Sequence, residues 1–86
     1  MKLVLIEWLD AYGGGAEWES VDPQEAEPLI CRSVGWLLND GPLTKTVVPH
    51  LTQEGHPQAA YQGSGHMTIP TLAIKRILDL KACDCK

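Results

Sequence analysis

The amino-acid sequence predicts a mainly β domain, a small and strongly bent barrel of five short strands with one or two short helical turns. Three observations lead there. β-Branched residues and tryptophan gather in short blocks, whereas phenylalanine is absent. Within the blocks, side chains alternate with the period of two that a strand requires. Between them stand Gly, Pro, Asn and Asp, which turns select for their backbone geometry. The chain has 86 residues, enough for one hydrophobic core and too few for two. Residues 1–80 are therefore expected to form a single domain, and residues 81–86 a flexible tail.

The first strand is expected over Leu3 to Leu9. Leu3, Leu5 and Leu9 share one face with Glu7, while Val4, Ile6 and Trp8 share the other. Apolar residues on both faces fit a strand buried on both sides, or a barrel strand within an assembly. The opening segment MKLVLIEWLDAY is interrupted by Glu7 and Asp10 and is read as a strand of the mature protein, not a signal peptide. No stretch approaches the ~18 apolar residues of a membrane helix. A soluble, cytoplasmic protein is the expectation.

Gly13-Gly14-Gly15 then breaks the pattern and predicts a mobile loop. Asp22-Pro23-Gln24-Glu25 has the composition of a helix start, and Pro28 stops it after about one turn. The second strand is expected over Leu29 to Leu38, with Ile30, Arg32, Val34, Trp36 and Leu38 on the face turned to the core. Asn39-Asp40-Gly41-Pro42 is a turn by composition, and Thr44 to Pro49 a third strand, so residues 29–49 form a hairpin. Residues 51–65 form a loop rich in Gly, Gln and His, followed by a fourth strand from His66 to Pro70. Beyond Pro70 two periods compete. Ile74, Arg76, Leu78 and Leu80 alternate as in a strand, whereas Ala73, Ile77 and Leu80 recur at helical spacing. The favoured reading is a short helical turn and then a fifth strand from Lys75 to Leu80.

The net charge of −4 is unevenly placed. Residues 1–28 hold seven acids and one base, residues 29–70 are balanced, and residues 71–86 carry a net +2. Non-specific binding to a nucleic-acid backbone needs clustered Lys and Arg, so it is not expected.

Taken together, VLIEWLDA at the start, RSVGWLLND in the middle, VVPHL, and MTIPTLAIKRILDL near the end resemble small proteins encoded by tailed bacteriophages. The resemblance spans roughly residues 3–80. It implies an SH3- or Sm-like barrel and an accessory role during infection, with the host cytoplasm as the location. The glycine run at 13–15 and the CDCK ending depart from that pattern. The resemblance brings no catalytic residues.

Four groups of residues are candidates for function. Trp18 lies between Glu17 and Glu19, with Tyr12 nearby, and a large aromatic among charges marks a contact surface for a host or phage protein. It serves equally well as a lid folded over the barrel, and the acidic segment as a solvated loop. Arg32 interrupts an apolar face, as Glu7 does, and the two are expected to pair. Alternatively Arg32, with Lys75 and Arg76, holds a nucleotide or small anionic ligand in an oligomer, since the guanidinium fork matches phosphate. Cys83 and Cys85, with His50, His56 and His66, contain zinc-ligand chemistry, but one residue between the cysteines is short of the spacing zinc sites use. The odd cysteine count, with Cys31, points to reduced thiols, not a disulfide framework. No serine stands in a nucleophile elbow and Gly63-Ser64-Gly65-His66 lacks the Lys of a phosphate loop, so neither enzyme activity nor a cofactor is expected. The primary expectation is a non-enzymatic binding protein, one form of which inhibits a host enzyme or defence system.

Overall fold

The computed structural model describes residues 1–23, 27–52 and 62–81. Strand β1 (Leu3–Asp10) pairs antiparallel with β2 (Leu29–Asp40), from Leu3 opposite Trp36 to Asp10 opposite Leu29. Strand β2 turns at Gly41, whose N–H donates to the Thr44 carbonyl at 3.0 Å, into β3 (Thr44–Val48). Two short strands, β4 (His50–Leu51) and β5 (Gly63–Ser64), pair with each other. Strand β6 (Met67–Pro70) then pairs with β3, a 3-10 turn η1 spans Thr71–Ala73, and β7 (Ile74–Asp79) returns to pair with β1. The main sheet is antiparallel, in the order β6-β3-β2-β1-β7.

The expected hairpin, the 3-10 turn after Pro70 and the final strand are all present. The β4–β5 pair lies at the two ends of the segment expected to be a loop. The proposed helix start at 22–25 runs into residues 24–26, which lie outside the described residues, as do 53–61 and 82–86.

The sheet is open, because β6 and β7 are its two edges. It is nevertheless strongly curled. Four intervals between adjacent strands span about 19 Å in a flat sheet, at ~4.8 Å each. The chain crosses from the end of β6 to the start of β7 through only the three residues of η1. Even fully extended, that stretch reaches about 14 Å, and in a 3-10 turn about 8 Å. The edges must therefore approach each other. The concave side holds Val4, Ile6, Val47 and Ile69, with Trp8, Leu37, Ala73, Ile74 and Ile77 packed against them.

Curling decides which face of β2 looks inward, and here the expectation is corrected. Cys31, Ser33, Gly35 and Leu37 line the concave side, not Ile30, Arg32, Val34, Trp36 and Leu38; of these five Trp36 is half-buried and the others are exposed. The ladder sets Cys31 beside Trp8, Ser33 beside Ile6 and Gly35 beside Val4. Strand β1 fills the concave side with large side chains, so its neighbour on β2 must be small. The end of β3 lies so close beside Gly35 that a Cβ there would stand 2.8 Å from the Val48 carbonyl oxygen. Ser33 is not idle there, because its Oγ accepts a hydrogen bond from Trp8 Nε1 at 3.0 Å. Thr46, also buried, shares a 2.8 Å hydroxyl–hydroxyl hydrogen bond with Thr68.

Candidate functional site

The convex face follows from the same register. Glu7 stands opposite Arg32 on β2 and opposite Arg76 on β7, so the three side chains form one row across three strands. A shift in the ladder between Glu7 and Trp8 makes Lys75 the extra residue and turns Arg76 onto Glu7's face. Arg76 makes the close contacts. Its Nε donates to Glu7 Oε1 at 2.6 Å and its Nη2 approaches the same oxygen at 2.5 Å. Arg32 Nη2 lies 3.9 Å from Glu7 Oε2.

The Glu7 side chain is only 6% exposed, against 63% for Arg32 and 59% for Arg76. The Arg76 hydrogen bond holds the Glu7 carboxyl below its ordinary range, against the opposing effect of burial, and the charges of Arg76, Arg32 and Lys75 act in the same downward direction. The expected Glu7–Arg32 pair is thus present, with Arg76 as the stronger partner. Two guanidinium groups face one carboxylate, leaving an excess of one positive charge on the row.

Apolar side chains flank this row on both sides. Leu5 stands between Val34 and Leu78 in one direction, and Leu9 faces Ile30 in the other. Leu9, Ile30, Val34 and Leu78 are each 39–50% exposed. Apolar residues on both faces of β1 therefore serve two purposes: Val4 and Ile6 fill the concave core, while Leu5 and Leu9 belong to a surface. A signal for it lay in β1, β2 and the last strand, each of which has one charge interrupting an apolar alternation.

The acidic segment forms an arm. Its base continues the β1–β2 hairpin: the Tyr12 hydroxyl donates to the Glu27 carbonyl at 2.8 Å, two residues beyond the last paired residues, Asp10 and Leu29. All residues from 11 to 23 are exposed, and Trp18 is fully so. Trp18 is therefore not a lid. Glu19 lies back against Gly14, where a Cβ would meet its carboxylate, so the arm bends on itself around residues 14–19.

His66 borders a depression with Leu38, Val48, Leu51 and Gly63, and His50 lines an adjoining one with Thr52, Gln62 and Ser64 that shares Leu51 and Gly63 with it. No group of three ligating side chains that fits a metal ion occurs among the described residues. Cys83, Cys85 and His56 lie outside them. No helix among the described residues is long and apolar enough to cross a membrane.

Comparison with models of protein families, with curated proteins and with solved structures finds no match.

Proposed function

We propose that the chain is a non-enzymatic accessory protein that acts by binding another macromolecule through its acidic arm. The observation that carries this reading is Trp18, fully exposed between Glu17 and Glu19 at the end of a hairpin whose base is tied by Tyr12. An indole in water forgoes the large favourable burial an aromatic offers, and such residues become anchors when a partner covers them. The flanking carboxylates select a partner surface that is apolar with a basic rim. On the resemblance to small phage proteins, we place the partner in the infected cell, as a host or phage protein, with inhibition of a host enzyme or defence system as one form of the role. An SH3- or Sm-like barrel fits this picture, supported by sheet edges that η1 holds close together.

Affinity purification from the natural host, with mass spectrometry, tests the reading. Wild-type protein should recover a partner that Trp18→Ala and the double reversal of Glu17 and Glu19 to Lys do not, with melting temperatures unchanged. Equal recovery by all three would remove the arm as the contact surface.

The row of Arg32, Glu7 and Arg76 favours a second reading, an oligomeric Sm-like binder of a nucleotide or small anion. That reading requires nucleotides to raise the melting temperature and Arg32→Ala to cancel the rise. A flat response across a nucleotide panel would exclude it.

A further inference from the structure

The arm needs an apolar surface with a basic rim, and this chain carries one. We propose that the arm of one copy docks on the convex sheet face of a second copy, so that the protein self-associates by exchanging arms. The proposal rests on the reading of the arm as a contact surface and names its occupant.

Complementarity of charge and shape argues for it. The convex face presents Leu5, Val34 and Leu78 beside Arg32 and Arg76, with one positive charge in excess after Glu7 is paired. The arm presents one large aromatic between two carboxylates. Trp18 on the apolar row brings Glu17 and Glu19 toward the two guanidinium groups, which are more than half exposed and able to take further acceptors. Stacking two convex faces directly would instead oppose two positive rows, a like-charge contact that costs affinity.

The base of the arm extends the β1–β2 hairpin in register past Asp10 and Leu29, which carries it off the end of the sheet, and every residue from 11 to 23 is exposed. An exposed arm and an exposed face on one chain satisfy each other when two chains exchange arms about a two-fold axis, since both contacts are then identical.

Light scattering coupled to size exclusion, on the full chain at rising concentration and at low and high salt, tests this. The wild type should run as a dimer that dissociates more readily in high salt. Trp18→Ala should weaken the dimer by about tenfold or more, in keeping with loss of an aromatic anchor. Two charge variants give the decisive arm. Glu17→Arg with Glu19→Arg should be monomeric alone, and so should Arg32→Glu. Their mixture should form a heterodimer, because reversed arm meets reversed face and native arm meets native face. Circular dichroism establishes that each variant is folded. Should Arg32→Glu fail to fold, Val34→Asp, at a half-exposed position, must by itself abolish the dimer.

A wild type that stays monomeric throughout, a dimer indifferent to Trp18→Ala, or a mixture that does not re-associate would each overturn the proposal. Failure here is separable from failure of the broader reading. A monomer whose Trp18→Ala variant still loses a foreign partner removes only the second copy as occupant. A monomer whose variant keeps that partner removes both.

Discussion

Replacing Gly35 with alanine tests the curl of the sheet at its tightest point. The new Cβ would lie 2.8 Å from the Val48 carbonyl oxygen, 3.0 Å from its carbonyl carbon and 3.1 Å from its nitrogen. Close C···O contacts in sheets run at about 3.3–3.6 Å, so the methyl group is short of room by about 0.5 Å. All three obstacles are backbone, and Val48 is both paired with Trp36 and fully covered, so it cannot step aside without opening the ladder. Overpacking of this kind costs about 1–3 kcal/mol. The loss of unfolded-state freedom on replacing glycine offsets about 0.4–1 kcal/mol of that. A net destabilisation of about 1–2 kcal/mol corresponds to a melting temperature lower by about 4–16 °C for a domain of this size. Urea unfolding followed by tryptophan fluorescence measures it, with Gly13→Ala as the control, since nothing lies within 4 Å of a Cβ at Gly13. If Gly35→Ala were as stable as Gly13→Ala, the end of β3 would not lie this close to Gly35. Crowding beside Gly35 would then no longer explain why Arg32 and Val34 face outward.

Two further substitutions probe the faces separately. Glu7 has a lower carboxyl pKa when folded than its ordinary value of 4.5. Its stabilisation is therefore complete above about pH 4.5 and is lost as pH falls through the folded value. Glu7→Gln should melt well below the wild type at pH 7, and the gap should narrow as the pH falls below 4.5 and the carboxylate protonates; a gap that stayed constant through acid unfolding would mean that the ion pairs contribute nothing. On the concave side, Trp8→Phe removes the donor to Ser33 Oγ. A double-mutant cycle with Ser33→Ala should give a coupling of about 0.5–1.5 kcal/mol, and additive effects would show the bond to be without consequence.

Alternation along the chain was enough to locate every strand of the main sheet, because each is long enough to display its period. It did not reveal which side of β2 is inside. The rule that large apolar residues point inward fails where a neighbouring strand already fills a curled interior, so Ser33 and Gly35 face the core while Ile30 and Val34 do not. Strands β4 and β5 have two residues each and no period to detect. For the charged row, Glu7 and Arg32 were legible as charges interrupting facing apolar blocks. Arg76 as the closer partner required two facts absent from local pattern: that β7 returns to the far side of β1, and that the ladder shifts at Lys75. The sequence likewise displayed Trp18 between its carboxylates, but whether a loop folds back depends on what space the sheet leaves for it.

The distribution of apolar residues carries one more consequence. Among the described residues, the apolar side chains fully covered by the chain itself are Val4, Ile6, Val47, Val48 and Ile69. That is a small core for a domain that must offset about 1–2 kcal/mol of backbone entropy per ordered residue. Meanwhile Leu9, Ile30, Val34 and Leu78 stay substantially in water. If arm exchange covers them, part of the stability belongs to the dimer and depends on concentration by mass action. Each tenfold rise in protein concentration then adds about 1.4 kcal/mol per dimer. For a cooperative unit of two chains, that raises the melting temperature by about 3–6 °C. Scanning calorimetry over a hundredfold range of concentration should show the trend in the wild type and lose it in Trp18→Ala. A melting temperature independent of concentration would mean that the isolated chain is stable with its convex face in water, and the burial argument for self-association would fall with it.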